Sequence, residues 1–310
     1  MTLKKTLLGM VAAGVIAASP ALAEDRISIG TGGTGGLFYV IGAGMAEIIN
    51  KHMDGATARA EVTGASVENI RRAAADQVTF GFSSASTLYE ATKGTGPFKD
   101  GALDMSAMAY LYPAVMQIAT LEGTGAKTLD DLAGKRISLG PPGSNSAVLC
   151  QRILEEKGVF DQANAQFLSY TESTKALVDG NLDAACVLAG APVAALIDLD
   201  AKADMVMIPV DDASMKGLIE KYPFYQSFEI KAGTYSDQKE AVAVVNDPAT
   251  LFAKTGADAA LIGKVVGTIF SNLEELHAVH PAAKRILRAT ATNVPVPLHP
   301  GAKAWFDANP

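Results

Sequence analysis

Gly30-Thr31-Gly32-Gly33-Thr34-Gly35-Gly36 stands between a strand-like and a helix-like segment and is well suited to hold an anion. Glycine lets backbone N–H groups approach a ligand closely, and a helix start adds unpaired donors and a positive dipole end. The donors expected there centre on Gly33, Thr34 and Gly35. Gly30, Gly32 and Gly35 also spell G-x-G-x-x-G, the dinucleotide fingerprint, with Glu61 as the later acidic residue. A tight turn without ligand is the third reading. Ser83-Ser84-Ala85-Ser86 closes another strand and opens a helix, at the carboxyl end where parallel sheets take ligands. Plain N-capping by Ser84 or Ser86 is its alternative. Pro141-Pro142-Gly143-Ser144-Asn145-Ser146 occupies the equivalent place later in the chain. Each signal is weak alone; together they outline an anion site between two lobes.

Catalytic patterns fare worse. No G-x-S-x-G elbow is present, because Ser144 follows Pro-Pro-Gly. His277 and His280 near Glu274 and Glu275 imitate a metal cluster, but this spacing at a helix end reads better as solvated surface. His52 and His299 have no partner that spacing identifies, and Asp130-Asp131 reads as solvated charge. No catalytic residue, metal or cofactor is expected.

The elements that must position these loops alternate. Arg26–Gly30 reads as a strand, and Leu37, Ile41, Met45, Ile48 and Ile49 recur at helical spacing. Arg59–Thr63 and Thr79–Phe82 read as strands with a helix over Val67–Ala75 between them. This is the order of a mostly parallel sheet flanked by helices. A long strand-like stretch spans Ala107–Leu121, and the grammar then restarts. Arg136–Leu139 is a strand, Ser144 caps a helix to about Lys157, and Gln166–Ser169, a helix near Thr174–Asp179, and Ala184–Leu188 complete the unit. The tail from Ala257 to Arg288 is helical, interrupted at Pro281, and is expected to pack on the first lobe. The expected fold class is therefore α/β, two lobes joined near Tyr112 with the chain crossing twice and a ligand cleft at the hinge. The expected boundaries are 24–112 with 241–310 for the first lobe and 113–240 for the second.

The chain has 310 residues, 49% hydrophobic and only 19% charged, which excludes a disordered or collagen-like chain and a multi-span membrane protein. Acidic residues, 33, outnumber the 26 basic ones without a basic stripe, which argues against nucleic acid. Lys4 and Lys5, the apolar run Leu7–Ala18 and Ala21-Leu22-Ala23 read as a signal peptide, residues 1–23, cleaved after Ala23. The run is shorter than the roughly 20 residues of a spanning helix. A periplasmic location follows, and an exported chain meets little NAD, so anion capture outweighs the dinucleotide reading. Cys150 and Cys186 are free to pair in that compartment; two buried free thiols are held slightly ahead of the disulfide.

The glycine loop and Val62-Thr63-Gly64-Ala65-Ser66-Val67-Glu68-Asn69 resemble the TAXI solute receptors, the TRAP-associated extracytoplasmic immunogenic proteins. So do Tyr89-Glu90-Ala91, Leu111-Tyr112-Pro113, Leu132-Ala133-Gly134-Lys135-Arg136, Gly143-Ser144, Ala189-Gly190-Ala191-Pro192, Pro223-Phe224-Tyr225, Ala232-Gly233-Thr234-Tyr235 and Leu298-His299-Pro300-Gly301-Ala302. These matches run in order from about Ile27 to the end. The resemblance implies a monomeric periplasmic binding protein of two α/β lobes that delivers a small organic acid to a TRAP-type membrane permease. Glutamate-like amino acids, dicarboxylates and oxo acids such as 2-oxoglutarate are the ligands it implies. Carried onto this chain, the contacts come from Gly33, Thr34, Gly35, Ser84, Ser86, Tyr112, Gly143, Ser144, Asn145, Ser146 and Gly190. Where many relatives have Gln-x-Asp, this chain has Ser84-Ala85-Ser86; where they have Tyr-Pro-Glu, it has Tyr112-Pro113-Ala114. Both departures remove a carboxylate, and a buried ammonium without an acidic or carbonyl partner is costly. The expected ligand therefore carries carboxylates alone. An exported enzyme or signalling module on the same fold is the alternative.

Overall fold

A computed structural model describes residues 25–236 and 238–310, so the expected signal peptide lies outside the described residues. The first lobe runs β1 (Asp25–Gly30), α1 (Leu37–His52), β2 (Ala56–Glu61), α2 (Ser66–Ala74), β3 (Phe80–Ser84), α3 (Ala85–Lys93) and β4 (Met105–Tyr112). The second follows with β5 (Val115–Leu121), β6 (Arg136–Ser138), α4 (Asn145–Lys157), β7 (Asn164–Gln166), α5 (Tyr170–Val178), β8 (Ala184–Ala189), α6 (Ala194–Asp200), β9 (Met205–Ile208), α7 (Asp212–Lys221), β10 (Gln226–Ile230) and β11 (Val242–Asn246). The chain then returns as β12 (Ala249–Lys254), α8 (Ala259–Ser271), α9 (Leu273–Val279) and α10 (Pro300–Ala308).

The strands form two sheets, ordered β2-β1-β3-β12-β4 and β10-β11-β5-β8-β6-β7, with β9 paired to β5. Both are mixed rather than mostly parallel. β1 runs parallel to β2 and β3, but the returning β12 lies antiparallel between β3 and β4. In the second sheet only β6 pairs in parallel, with β7 and β8. The continuous strand expected over Ala107–Leu121 is two strands in different sheets. Pro113, with no N–H to donate, stands where the ladder breaks and the chain crosses.

Burial explains the patterning. Ile27, Ile29, Phe80 and Phe82 are buried, and α1 presents Ile41, Met45 and Ile49 to that sheet at helical spacing. The helical tail packs on the first lobe, with α8 and α9 against α1 and α10 against β4. β11 pairs with β5 in the second sheet, and the return crossing falls at Asp247-Pro248. The two crossings touch: Asp247 N donates to Ala114 O at 2.8 Å.

Candidate functional site

Three strand ends in the first lobe are tied together by one buried side chain. Asn69 Nδ2 donates to Thr31 O at 2.7 Å and Phe82 O at 2.9 Å, while Asn69 Oδ1 accepts from Thr63 Oγ1 at 2.7 Å. The ends of β1 and β3 and the loop after β2 are thus held in register, and the glycine loop is launched from a fixed point. Gly36 precedes α1 without a side-chain cap, leaving the helix start to its backbone donors. Glu61, the acidic residue of the dinucleotide reading, is paired with Arg59 at 2.8 Å.

In the second lobe Ser144 caps α4, accepting from Ala147 N at 3.2 Å and donating to Pro141 O at 2.7 Å. Ser146 Oγ donates to Cys186 O on β8 at 3.1 Å. Cys150 and Cys186 are joined in a disulfide, which corrects the preference for free thiols. α4 packs on β8 with Cα atoms 6.2 Å apart at this pair, within bridging reach, and both cysteines are fully buried. α5 begins at Tyr170, earlier than expected, because Ser169 and Glu172 form a capping box.

These ends enclose a cavity of about 230 Å³ between the sheets. Of the residues expected in the site, Gly33, Thr34, Gly35, Ser84, Tyr112, Ser144, Asn145 and Ser146 line it. Ser86, Gly143 and Gly190 do not. Ser86 turns to the hinge, its N donating to Asp247 Oδ1 at 3.0 Å and its Oγ to Asp247 Oδ2. Gly143 O accepts from Glu68 N at 3.1 Å, a contact between lobes. Gly190 makes room for neighbours: a Cβ there would stand 2.8 Å from Leu37 Cδ1 and 3.2 Å from the Tyr112 ring. The rest of the wall includes Leu37, Phe38, Val62 and Leu188, with Tyr170 and Thr171 from the start of α5. Among the described residues no charged side chain lines it. The lobes meet tightly: a Cβ at Gly35 would stand 2.5 Å from Thr171 Oγ1, so this close approach requires glycine.

Tyr112 ends β4, wholly buried, and burial pushes its phenol pKa well above the ordinary value, so it stays neutral. Its Oη has no hydrogen-bond partner among the described residues, and neither has Asn145 Oδ1. Burial likewise raises Tyr170, to about 12, and its hydroxyl donates to Leu188 O at 2.9 Å. Asp247 is the functional candidate that sequence reading missed. It is fully buried at the hinge and takes Asn145 Nδ2 on Oδ2 at 2.6 Å, besides the two Ser86 bonds. Burial pushes its carboxyl up to about 6, the Ser86 and Asn145 hydrogen bonds working against that rise. Its only sequence signal was the Asn246-Asp247-Pro248 turn. Beside it Arg152 on α4 reaches Glu90 on α3 at 2.6 Å and Tyr225 Oη at 2.7 Å, a buried ion pair between the lobes.

Among the described residues no group of three or more His, Cys, Asp or Glu is placed to hold a metal. His277 contacts Ile286 O, His280 Nδ1 accepts from Ala282 N, and Glu275 pairs with Lys51 and His52. Among the described residues no helix is long and apolar enough to cross a membrane.

Similar solved structures have this architecture at low sequence identity. One described as a periplasmic transporter is 12% identical with a TM-score of 0.57, over 94% of this chain and 93% of that one. A putative L-cystine ABC transporter protein from Listeria monocytogenes is 14% identical with a TM-score of 0.53, over 87% of this chain and 99% of that one. A binding component of an ABC phosphonate transporter from Pseudomonas aeruginosa is 11% identical with a TM-score of 0.52, over 85% and 80%. At these identities the likeness is one of fold, that of periplasmic solute-binding proteins. Residues 29–307 match the sequence profile of the NMT1-like family, and with nearly the whole described chain inside that match, the protein belongs to the NMT1-like family.

Proposed function

We propose that this protein is an exported, monomeric solute receptor that captures a small organic acid between its lobes and passes it to a membrane permease. The carrying observation is the cavity itself. It lies between two sheets joined by two adjacent crossings, and its wall is built from the glycine loop and the starts of α4 and α5, with serine and threonine side chains and, among the described residues, no charged one. Such a wall suits an anion held by neutral donors. Hydrogen bonds to a charged group contribute roughly 1.5–3 kcal/mol each, so four or five give about 6–15 kcal/mol, a range that includes the roughly 8 kcal/mol of a micromolar site before the costs of association.

The ligand class we infer is a carboxylate without an ammonium, 2-oxoglutarate or another dicarboxylate, because among the described residues no acidic side chain lines the cavity to receive a cation. A TRAP-type permease is the partner suggested by the motifs shared with the TAXI receptors. The similar structures described as ABC transporter components share the fold alone and leave that partner to be tested.

Titration calorimetry of the mature protein with 2-oxoglutarate, succinate, malate, glutamate and glutamine tests this. Micromolar or tighter binding of a diacid, recovered chemically unchanged, is expected. Turnover of the ligand would overturn the receptor reading, and glutamate binding tighter than every ammonium-free acid would overturn the ligand class.

A further inference from the structure

We propose that Gly190 sets the length of ligand the cavity accepts, because its missing side chain lets Leu37 and Tyr112 stand back as an end wall. The proposal rests on the diacid reading above and deepens it.

Gly190 follows directly on β8, in the second lobe. Its φ lies outside the left-handed region, so the backbone itself does not demand glycine there. The neighbours do. A Cβ on Gly190 would stand 2.8 Å from Leu37 Cδ1 and 3.2 and 3.3 Å from Tyr112 Cδ2 and Cε2. Leu37 opens α1 and Tyr112 closes β4, so both of these contacts come from the first lobe.

The three residues stand in layers. Leu37 and Tyr112 line the ligand cavity, and Gly190 does not. Gly190 borders instead a second cavity of about 110 Å³, together with Phe228 and Ile230 of β10 and Arg285 of the returning tail. Among the described residues only Tyr112 borders both cavities, which makes it the partition between them. Leu37 is 2% exposed and Tyr112 wholly buried. A packed interior takes up an added methyl group only where there is empty space, and the ligand cavity is the empty space that borders both side chains. A methyl on Gly190 would therefore press the wall inward. A diacid is held at both charged ends, so the position of one end wall selects the chain length that spans the site. Gly190 acts as a positioning residue, and its readout is a preference between lengths rather than affinity alone.

The test is calorimetry of the mature protein with unsubstituted and 2-oxo diacids of three to seven carbons. The wild type is expected to bind one length best. A single methylene in a fitted pocket is worth about 10–200-fold, so Gly190→Ala should shift the preference at least tenfold toward the next shorter diacid. Tyr112→Leu, which trims the partition from the cavity side, should shift it at least tenfold toward the next longer one, and it decides the matter should Gly190→Ala fail to fold. Gly190→Ala with Leu37→Ala removes the nearest obstruction and should cancel the shift toward the shorter acid. Equal weakening of every length by Gly190→Ala would mean that the methyl separates the lobes instead of moving the wall, and would overturn the proposal. An unchanged length preference in Gly190→Ala or Tyr112→Leu would overturn it as well, and in each case the diacid reading stands. No binding of any diacid by the wild type would overturn both.

Discussion

Asp247 concentrates the electrostatics of this protein in one side chain. Its folded pKa lies near 6, above the ordinary 3.8, so the folded state binds its proton more readily than the unfolded chain does. Its contribution to stability is therefore full below about pH 3.8 and is lost as pH rises through about 6. His280 and His299 are held below their ordinary values by burial and act oppositely, losing stability as pH falls below about 6.5. Glu90 faces the same pocket of charge and raises Asp247 further, and Arg152 compensates Glu90. Comparing wild type with Asp247→Asn cancels the histidines. By thermal unfolding, the wild type should gain several degrees relative to the variant between pH 8 and pH 5. A pH-independent difference would mean that Asp247 does not titrate in this range. Nothing in the sequence advertised this residue: Asp before Pro reads as a turn, and only the pairing of β11 and β12 with different sheets buries it. Ser144, by contrast, was legible because a cap is a local property, one hydroxyl and the third amide beyond it.

Among elements, α4 is held by more than its own hydrogen bonds. The disulfide fixes its first turns to β8, the strand whose end supplies Leu188 and Ala189 to the cavity. Replacing both cysteines with alanine should cost about 3–4 kcal/mol in denaturant unfolding, as expected for a loop of this length. It should also weaken ligand binding, because Ser144–Ser146 would lose their anchor. Unchanged affinity would show that Ser146 and the packing of α4 suffice. The pairing itself was not legible, since spacing does not say which faces of a helix and a strand meet. Helices and strands with strong periodicity were read to within a few residues. The later elements α6, α7 and β9 to β12 were not assigned, because short strands bounded by irregular loops carry little period. The stretch around Pro113 misled for another reason: β4 and β5 are both apolar and buried, so only the proline marked the change of sheet.

For the whole molecule, the proposed capture between the lobes should depend on how closely they approach. Gly35 and Thr171 stand at that contact. Gly35→Ala should weaken the ligand about tenfold, since a 2.5 Å contact must be relieved by separating the lobes, while unliganded stability changes little. Gly35→Ala with Thr171→Ala removes the obstructing hydroxyl and should restore affinity. Calorimetry on the two variants checks this, and equal weakening in both would place the fault in the loop rather than between lobes.

The position of β12 also sets an order of events. Every strand of the second sheet lies within 115–246, an uninterrupted run, whereas β12 fills the place between β3 and β4 in the first sheet. Synthesis proceeds from the N-terminus, so the second lobe is complete in sequence while the first still has a gap in its sheet. Bringing β12 back to β3 spans more than half the chain, the kind of distant pairing that slows folding. The unfinished first sheet meanwhile offers β3 and β4 as open edges, the surfaces a holding chaperone would recognise. A chain ending at Asn246 should accordingly yield a protease-resistant fragment beginning near Pro113, with everything before it digested. A resistant fragment from the N-terminal half would instead mean that the first lobe reaches a stable form without its central strand.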